Sequence, residues 1–485
     1  MNKTDPTFEL IKALDKGEKR LFKLQTQSMG ESKNYLKVFD ALDTANVYLP
    51  EKLKQKIKGG KINLSYEKNY LHKQILKTLR NTGNENLPMQ FLSLQIAEVE
   101  VLYAKKLFKQ ALEKIREAKD IAWKFDYFGL YLELLSIQRR ILLVTLDVNI
   151  KEQFELIEDE TNKAMQTMSN LQEFVLLNNK LYLQSLNKGG TQGKVLDNYR
   201  KSVSIGIMSD EKKALCPSAK LLFHSHKMGY YFFINDFKMA LKHNNESIRV
   251  YESYNGLMLK NPQNFIPLVT NSIIIECQSG LFKEAKMNLD KLRNIVHVAP
   301  FKSNRMLCAH VAEAILMLEI GIATQSGAFE NISVLTREMT QGLQQYKKDF
   351  SEYGQRVINY HLALLNYLDG KPQVTIKILN ELVNAKQSSL AQDYYTYSVL
   401  FLALMHFEKG NYELIHKLLS YIKTTNNDFV TLITVFLSNK KFEDYNAREQ
   451  KTFFQKFRTE AEEFLIKNKL LIYFPLLQWL DKRGS

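Results

Sequence analysis

A two-helix pattern recurs along this chain and constrains its fold more than any other feature of the sequence. Each copy consists of an apolar stretch with helical spacing, a short polar turn, and a second stretch whose apolar residues recur at intervals of three and four. Such a unit predicts an antiparallel helix hairpin, which buries its apolar face only when a neighbouring hairpin packs against it. The clearest copies occupy residues 102–118, 231–247, 275–292, 365–382 and 404–422.

One small or apolar residue opens the second helix of each copy and gives the spacing of the array. Neighbouring copies lie 45 and 40 residues apart, and the wider gaps of 129 and 90 residues are close to multiples of about 43. Weaker copies surround residues 147–157, 186–203 and 327–336. We therefore expect about eight or nine hairpins between Pro88 and Lys440. The five anchor residues are Ala111, Ala240, Ala285, Thr375 and Ile415.

Turn-forming residues are scarce, because the chain has only 9 prolines and 20 glycines in 485 residues. A β-sandwich or barrel needs a turn signal every ~8–12 residues, which this composition cannot supply. Gly, Asn and Asp do stand at the hairpin turns 235–236, 279–280, 369–370 and 410–411, where a left-handed residue ends a helix at low cost. The sequence predicts an all-α protein, an α-solenoid of stacked antiparallel helix hairpins with a small N-terminal helical module.

The spacing of aromatic and small residues resembles that of the tetratricopeptide repeat family. Phe108 precedes Ala111 by three positions, Ala118 follows seven later, and Gly410–Tyr412 is similar to the turn of that family. The chain departs from the family in its longer period, in lacking the Trp-Leu-Gly opening of the first helix, and in two anchors that are not small. The resemblance covers roughly four-fifths of the chain.

This resemblance implies that the first helices of the hairpins line a groove for a protein or peptide. We expect Tyr103, Tyr397 and Phe407 to belong to that groove. One subclass of the family holds a peptide carboxylate with Lys, Asn and Arg, but the corresponding positions here carry no basic residue, which argues against a carboxylate-clamp adaptor. Besides the three groove residues, those positions hold Ser93, Ile96, Glu100, Leu400 and Leu404.

Three regions are expected along the chain. Residues 1–82 carry short helical stripes and form a small basic helical module or an N-terminal cap, bounded by the turn-rich stretch 81–88. Residues 88–440 form the tetratricopeptide-like helical repeat array. Residues 441–485 have helical periodicity without the hairpin pattern, as capping helices at the end of a repeat array do.

The excess of positive charge is concentrated in one segment. The formal net charge is +15, and nearly half of that excess falls in residues 51–80, which hold nine basic and two acidic residues. One interpretation is a solvated, solubilising surface. The other is a patch that contacts an anionic partner such as nucleic acid in a salt-dependent way. The basic residues are Lys52, Lys54, Lys56, Lys58, Lys61, Lys68, Lys73, Lys77 and Arg80.

Signatures of catalysis, cofactors and metals are missing from the sequence. The Gly-rich segment 188–194 fails as a phosphate-binding loop because Lys188 and Val195 occupy positions that require Gly and Ser or Thr. His224 and His226 are two residues apart on an expected helix, so their side chains point ~200° away from each other rather than to one ion. No Ser or Cys lies in a recognisable nucleophile motif. We expect a non-enzymatic protein without cofactor or metal.

The location expected for this chain is the cytoplasm. Cys216, Cys277 and Cys308 are far apart and are expected to be reduced thiols. Residues 1–20 are charged throughout and lack the apolar core of a secretory signal. The longest aliphatic stretch lies around 141–146, far short of the ~20 residues of a membrane-spanning helix, so no membrane insertion is expected.

Two functions follow from these expectations. The first is a protein- or peptide-binding scaffold that acts through the concave face of a helical solenoid. The alternative is a regulator in which a basic N-terminal module contacts nucleic acid through residues 51–80 while the solenoid senses a peptide or partner.

Overall fold

The computed structural model contains 22 α-helices and no strand in the residues that it describes, which confirms the all-α fold class. The described residues are 5–28, 34–45, 47–51, 53, 63–82, 88–145, 149–186, 194–204, 206–302, 304–326, 332–385, 392–422, 428–439, 445–468 and 479–480. By their contacts they form two compact units. The N-terminal unit comprises 1–121 and 143–145, and the C-terminal unit comprises 122–142 and 146–485.

The first seven helices include all those of the N-terminal unit. They are α1 (Pro6–Ala13), α2 (Lys16–Ser28), α3 (Asn34–Thr44), α4 (Leu64–Thr82), α5 (Pro88–Ala104), α6 (Phe108–Lys124) and α7 (Phe128–Thr145). The boundary between the units crosses α6 and α7. Helices α1 to α4 enclose a hydrophobic core of their own, which includes Ile11, Phe39 and Ile75. The stretch that we expect to be a separate module, 1–82, is therefore able to bury apolar surface without the hairpins that follow.

An ion pair joins the N-terminus of α1 to α4 at this small core. Asp5 caps α1 by accepting hydrogen bonds from the amides of Thr7 and Phe8, and its carboxylate also binds the ammonium of Lys68 on α4. Lys68 donates a second hydrogen bond, of 2.8 Å, to the hydroxyl of Tyr48. Burial disfavours the charged form of both side chains, but their mutual hydrogen bond and attraction outweigh this effect. The pKa of Asp5 is therefore lowered and that of Lys68 is raised.

The remaining helices belong to the C-terminal unit. They are α8 (Ile150–Leu186), α9 (Lys194–Ser204), α10 (Pro217–Phe233), α11 (Phe237–Ser253), α12 (Asn255–Lys260), α13 (Phe265–Gln278), α14 (Phe282–Asn294), α15 (Arg305–Ser326), α16 (Ile332–Tyr346), α17 (Glu352–Leu368), α18 (Pro372–Asn384), α19 (Gln392–Phe407), α20 (Tyr412–Leu419), α21 (Asp428–Leu437) and α22 (Ala447–Asn468). From α13 to α22, the extensive helix packing joins elements that are adjacent or next but one along the chain. That is the packing expected of stacked hairpins.

The turns between paired helices share one geometry at six places. One residue adopts a left-handed conformation with φ of 55–74°, its amide donates to the carbonyl three residues back, and the next amide donates to the carbonyl five residues back. These hydrogen bonds, of 2.8–3.1 Å, form the Schellman motif that satisfies the last carbonyls of a helix. The left-handed residues are Lys106, Asp126, Asn235, Gly280, Gly370 and Gly410.

The residues after each turn also repeat. The second helix begins two residues beyond the left-handed residue, and in four hairpins an aromatic ring at its start packs 5.3–5.8 Å from a ring five residues earlier. The five anchors from the sequence each occupy the fourth position of a second helix and are fully or almost fully buried. At the one polar anchor, the hydroxyl of Thr375 donates to the carbonyl of Ala363, so its burial leaves no unpaired hydroxyl.

One contact in the C-terminal unit departs from strict neighbour packing. The turn between α6 and α7 lies against α12, about 130 residues further along the chain, where the ammonium of Lys260 donates a 2.8 Å hydrogen bond to the carbonyl of Phe125. The carboxylate of Asp126 in the same turn accepts from the amide of Ser218 and caps α10. The sequence did not indicate this contact, because it pairs single residues and has no periodicity.

Gly256 is expected to be essential to this contact. A Cβ atom there would lie 2.8 Å from the carbonyl oxygen of Lys124, which is backbone and cannot swing away. We expect Gly256→Ala to lower the free energy of unfolding by about 1–3 kcal/mol. The matched control is Gly129→Ala in α7, where a Cβ meets nothing within 4 Å and should stabilise the helix by up to about 1 kcal/mol. Urea unfolding of both variants checks this, and equal effects would contradict it.

The last four helices share a core with α17 and α18 that is dense in aromatic rings. Phe436 on α21 stacks on Phe457 of α22 at 3.9 Å between ring centroids, and it also lies 5.9 Å from Trp479. The described residues of this stretch, 445–468 and 479–480, thus contribute to the core of the preceding hairpins. The capping role of 441–485 stays a prediction.

One helix is apolar enough to span a membrane by length and composition. It covers Arg305–Ala323 in α15, and more than half of it is buried inside the protein. This differs from the expectation that the longest aliphatic stretch is the one around 141–146. Three charged or polar residues interrupt the apolar residues of α15, so no long uninterrupted stretch is visible in the sequence. Burial among α13, α14, α16 and α17 accounts for its composition.

Candidate functional site

A cavity of about 340 Å³ opens in the C-terminal unit, and all the described residues that line it lie on the first helix of a hairpin. Four successive first helices contribute: α13, α15, α17 and α19. Of these residues, His310 and Tyr353 are exposed, so the cavity is open to solvent on their side. The lining residues are Thr270, Ile273, Ile274, Cys277, His310, Glu313, Ala314, Met317, Leu318, Gly321, Ile322, Tyr353, His361 and Tyr394.

The sequence of each helix explains which helices form this surface. The helices α13, α15, α17 and α19 pack side by side as well as on their own partners, whereas α14, α16 and α18 pack chiefly on the first helices before and after them. The first helices α13 and α19 are apolar nearly all round, as helices covered on several sides commonly are, whereas the second helix α14 is amphipathic. The first helix α17 is also amphipathic. By their packing, the first helices lie closer together than the second helices.

The polar groups of the cavity are few. The hydroxyl of Thr270 is buried and has no hydrogen-bond partner within the described residues. The thiol of Cys277 is also buried, and desolvation, followed by the neighbouring Glu276, raises its pKa to about 11. Both groups are thus uncharged at neutral pH, and the hydroxyl retains an unused capacity to bind a polar atom of a ligand.

Glu313 supplies a negative charge to the site, and its position is held by hydrogen bonds. Its two carboxylate oxygens accept hydrogen bonds from the amide of Ser351, at 3.0 Å, and from its hydroxyl, at 2.6 Å. Ser351 is the N-cap of α17, so the carboxylate lies near the positive end of that helix. Gly354 leaves room for it, since a Cβ there would overlap the carboxylate. The charge is consequently fixed in position.

His361 forms an uncharged part of the lining. Its side chain is 1% exposed and lies edge-on to the rings of Tyr360 and Tyr394. Burial lowers the pKa of the imidazole to about 3 and raises the pKa of Tyr360 well above its ordinary value. At physiological pH the ring is therefore neutral and behaves as an aromatic wall.

These protonation states suit binding better than catalysis. A nucleophilic cysteine needs a lowered pKa and a general base needs a pKa near the working pH. In the cavity, Cys277 has a raised pKa and His361 a pKa far below neutrality. What the arrangement provides is an apolar recess with one fixed carboxylate and one unpaired hydroxyl.

The structure places the three groove residues expected from the sequence in different surroundings. Phe407 is a correction: it is 4% exposed and packs against Tyr412, Phe436 and Trp479 in the core of the last helices. Tyr397 is half-buried beside Tyr394. Tyr103 belongs to the N-terminal unit, where its ring packs on Phe108 at the turn after α5. The positions Leu400 and Leu404 are likewise fully buried.

Only part of the basic segment 51–80 can be placed. Lys52, Lys54, Lys56, Lys58 and Lys61 lie outside the described residues. Lys68 binds Asp5 and Tyr48 at the small core, so its positive charge is balanced there by the carboxylate of Asp5. Lys73, Lys77 and Arg80 are exposed on α4.

The two neighbouring histidines diverge as their spacing predicts. His224 contacts His243, with 3.1 Å between their Nδ1 atoms, whereas His226 contacts the hydroxyl of Ser202 and stacks on Tyr199. No group of three His, Cys, Asp or Glu side chains in the described part of the chain is placed to hold a metal ion. The Gly-rich segment 188–194 falls outside the described residues except for Lys194.

Sequence reasoning missed the cavity because its lining residues look like ordinary core residues. Ile273, Met317 and Leu318 sit at positions that a buried helix also fills with apolar side chains. The one usable signal was the contrast between the evenly apolar first helices α13, α15 and α19 and the amphipathic second helices, although the first helix α17 does not share it.

The fold and the site define a class of protein: an all-helical chain of packed helix hairpins with an open, mainly apolar cavity on its first helices. No protein-family model matches the sequence, and no curated protein matches it.

Proposed function

We propose that this chain is a non-enzymatic binding protein that holds a protein or peptide segment on the face formed by its first helices. The observation that carries this proposal is the composition of the cavity wall, in which the described residues come from four successive first helices and from no second helix. Side chains presented by several repeats form a pre-ordered surface, so a segment that docks there orders little of the receptor. An apolar recess next to a fixed charge is the usual anatomy of such a pocket.

The finer assignment within this proposal is a tetratricopeptide-like array. It is supported by the repeated turn, by the aromatic residue that begins most second helices, and by the buried anchor at the fourth position of each. Closer packing among first helices than among second helices favours a curved stack with the first helices on the concave side. The uninterrupted helix α8, which has 37 residues, is longer than a helix of that family's 34-residue unit can be.

The partner is expected to bring an apolar side chain to this cavity. The wall is formed by Ile, Leu, Met, Ala and Tyr side chains, while Glu313 supplies a carboxylate that favours a nearby cation or amide donor on the partner. A peptide with one large apolar residue beside a basic or amide residue satisfies both features.

Peptide selection tests the proposal. Phage displaying random peptides are selected on the immobilised full chain, and the enriched peptides are measured for binding to two variants. Ala314→Trp fills the cavity, and Met287→Trp places the same ring on the exposed face of second helix α14. We expect the enriched peptides to share an apolar residue and to bind Ala314→Trp at least about tenfold more weakly, a loss of about 1.4 kcal/mol, with Met287→Trp unchanged.

Two results would overturn the proposal. Either no peptide is enriched, or the enriched peptides bind wild type and Ala314→Trp equally. Circular dichroism and the thermal midpoint of Ala314→Trp show whether the variant keeps its fold. If it does not, Ile274→Phe gives a smaller filling of the same cavity with the same expectation.

A further inference from the structure

One face of α4 in the N-terminal unit combines exposed cations with an exposed aromatic ring. Tyr66, Lys73, Lys77 and Arg80 follow one another at intervals of seven, four and three residues, which places them on one side of the helix. All four side chains are exposed. We call these four residues the α4 stripe.

The opposite side of α4 fixes the direction of this face. Leu71 and Ile75 are fully buried in the small core, and Thr78 is also buried. These residues hold one side of α4 against the core, so the stripe on the other side faces solvent. The acid within this stretch, Glu67, lies about 120° around the helix from Lys73 and is half-buried. The stripe itself therefore carries three positive charges and no negative one.

The cations of the stripe are not used by the fold. Within the described residues, Lys73, Lys77 and Arg80 make no side-chain hydrogen bond or ion pair, in contrast to Lys68 on the same helix, which binds Asp5. Along about 11 Å of the helix, the stripe holds three cations without a partner among the described residues.

Tyr66 adds a feature that a solubilising surface does not need. Its side chain is 65% exposed, and its ring lies nearly parallel to that of Tyr70, at 11° and 6.5 Å between centroids. Tyr70 in turn packs edge-on against the buried ring of Tyr35. The ring of Tyr66 thus lies beside that of Tyr70 and is mostly exposed to solvent, which leaves it available to stack on an unpaired base.

We propose that the α4 stripe binds single-stranded nucleic acid, with the phosphates on Lys73, Lys77 and Arg80 and a base stacked on Tyr66. The stripe is about 21 Å long, which suits a few consecutive nucleotides. A single strand is favoured over a duplex because the face of Tyr66 serves an unstacked base and duplex bases are already stacked. This activity is independent of the peptide-binding function proposed for the C-terminal unit.

Fluorescence anisotropy of a labelled oligothymidylate of about 12 nucleotides tests the proposal on the full chain. Binding should weaken with KCl between about 50 and 200 mM, with a slope of log K against log salt that changes by about 2 when Lys73, Lys77 and Arg80 are all replaced by Gln. Tyr66→Ala should weaken binding by about fivefold or more with little change in that slope.

The matched control removes the same charge elsewhere. Lys283, Lys286 and Lys302 are exposed in the C-terminal unit, and their joint replacement by Gln lowers the net charge of +15 by the same amount. We expect this control to leave oligothymidylate binding within about twofold of wild type. An equal loss in both triple variants would show attraction by overall charge only and would overturn the proposal.

Three competitors identify the class of the ligand. Polyglutamate and vesicles rich in phosphatidylserine share the negative charge but offer no base, and a duplex of the same length offers only stacked ones. The proposal predicts that Tyr66→Ala weakens binding of the single strand alone. It is overturned if Tyr66→Ala has no effect, or if any competitor binds more tightly than the single strand. Circular dichroism verifies the fold, and Tyr66→Phe, which retains the ring, should bind like wild type.

Discussion

Lowering the pH from 6.5 to about 4.5 is expected to cost the folded protein about 2 kcal/mol through His361 alone. The imidazole is fully buried and its pKa in the folded state is about 3, against 6.5 when it is free in the unfolded chain. Between these values the unfolded chain binds a proton that the native chain does not. Stability is therefore complete above pH 6.5 and falls as the pH drops toward 3.

Other buried groups act in both directions over the same range. His226 is also buried, with a pKa lowered to about 4, and adds to the loss. Burial raises the pKa of Glu276 and Glu319, so these carboxyl groups protonate earlier in the native state and oppose the loss as the pH falls toward 4.5. A variant comparison is needed to isolate one residue.

His361→Phe is that variant, since it keeps an aromatic ring in the same space and removes the titratable group. We expect its unfolding free energy to depend on pH more weakly than that of wild type, by up to about 1.4 kcal/mol per pH unit between pH 6 and about 4.5. Urea unfolding at several pH values measures the difference. The exposed His297→Phe is the control and should retain the wild-type dependence. Parallel curves for wild type and His361→Phe would contradict the prediction.

Phe436→Ala is expected to lower the stability of the last helices by about 3–5 kcal/mol. Phe436 is buried on α21 and contacts Phe407, Phe457 and Trp479, so its ring joins three elements of the C-terminal core. Truncation leaves a cavity that stiff aromatic neighbours cannot close. Because stacked repeats are held mainly by their neighbours, the loss should be largest at this end of the chain.

Trp479 offers a local measurement of this effect. It is one of two tryptophans in the chain, it is fully buried, and it lies 5.9 Å from Phe436. Its fluorescence should report unfolding at a lower urea concentration in Phe436→Ala than in wild type, while helicity near the cavity on α13 and α15 persists. Val435→Ala is the control, because its side chain is 67% exposed and should change stability by no more than about 0.5 kcal/mol. Equal shifts for the two variants would refute this account of the core.

Much of the local structure could be predicted because it depends on local chemistry. The four turns containing Asn or Gly were found from those residues, and the anchors Ala240 and Ala285 lie at equivalent positions in their helices. The turn at Lys106 was indicated only by the apolar pattern of the copy 102–118, because Lys seldom adopts a left-handed conformation. No copy was recognised at the turn of Asp126, although Asp is a residue type that adopts this conformation more readily. Both residues adopt it because the helices on both sides are fixed by packing.

The candidate sites were less predictable. Phe407 and Tyr394 are both aromatic residues on α19, and nothing in their spacing shows that the first is core and the second lines a cavity. The stripe on α4 could be found as a set of lysines, but Lys68 could not be separated from Lys73 until its partner Asp5, 63 residues earlier, was placed.

The amino-acid sequence by itself determined the helical class, the hairpin units, most turns and the charge of the N-terminal segment, because each follows from residues within one or two helical turns of each other. The tertiary structure alone decided which first helices share a cavity and which cations have no partner among the described residues. It also decided that Lys260 donates a hydrogen bond to the turn that contains Asp126. Those features depend on burial and on pairs of residues far apart in the chain. Burial is set by the residues that pack around a side chain, and the sequence pattern does not show which distant residues those are.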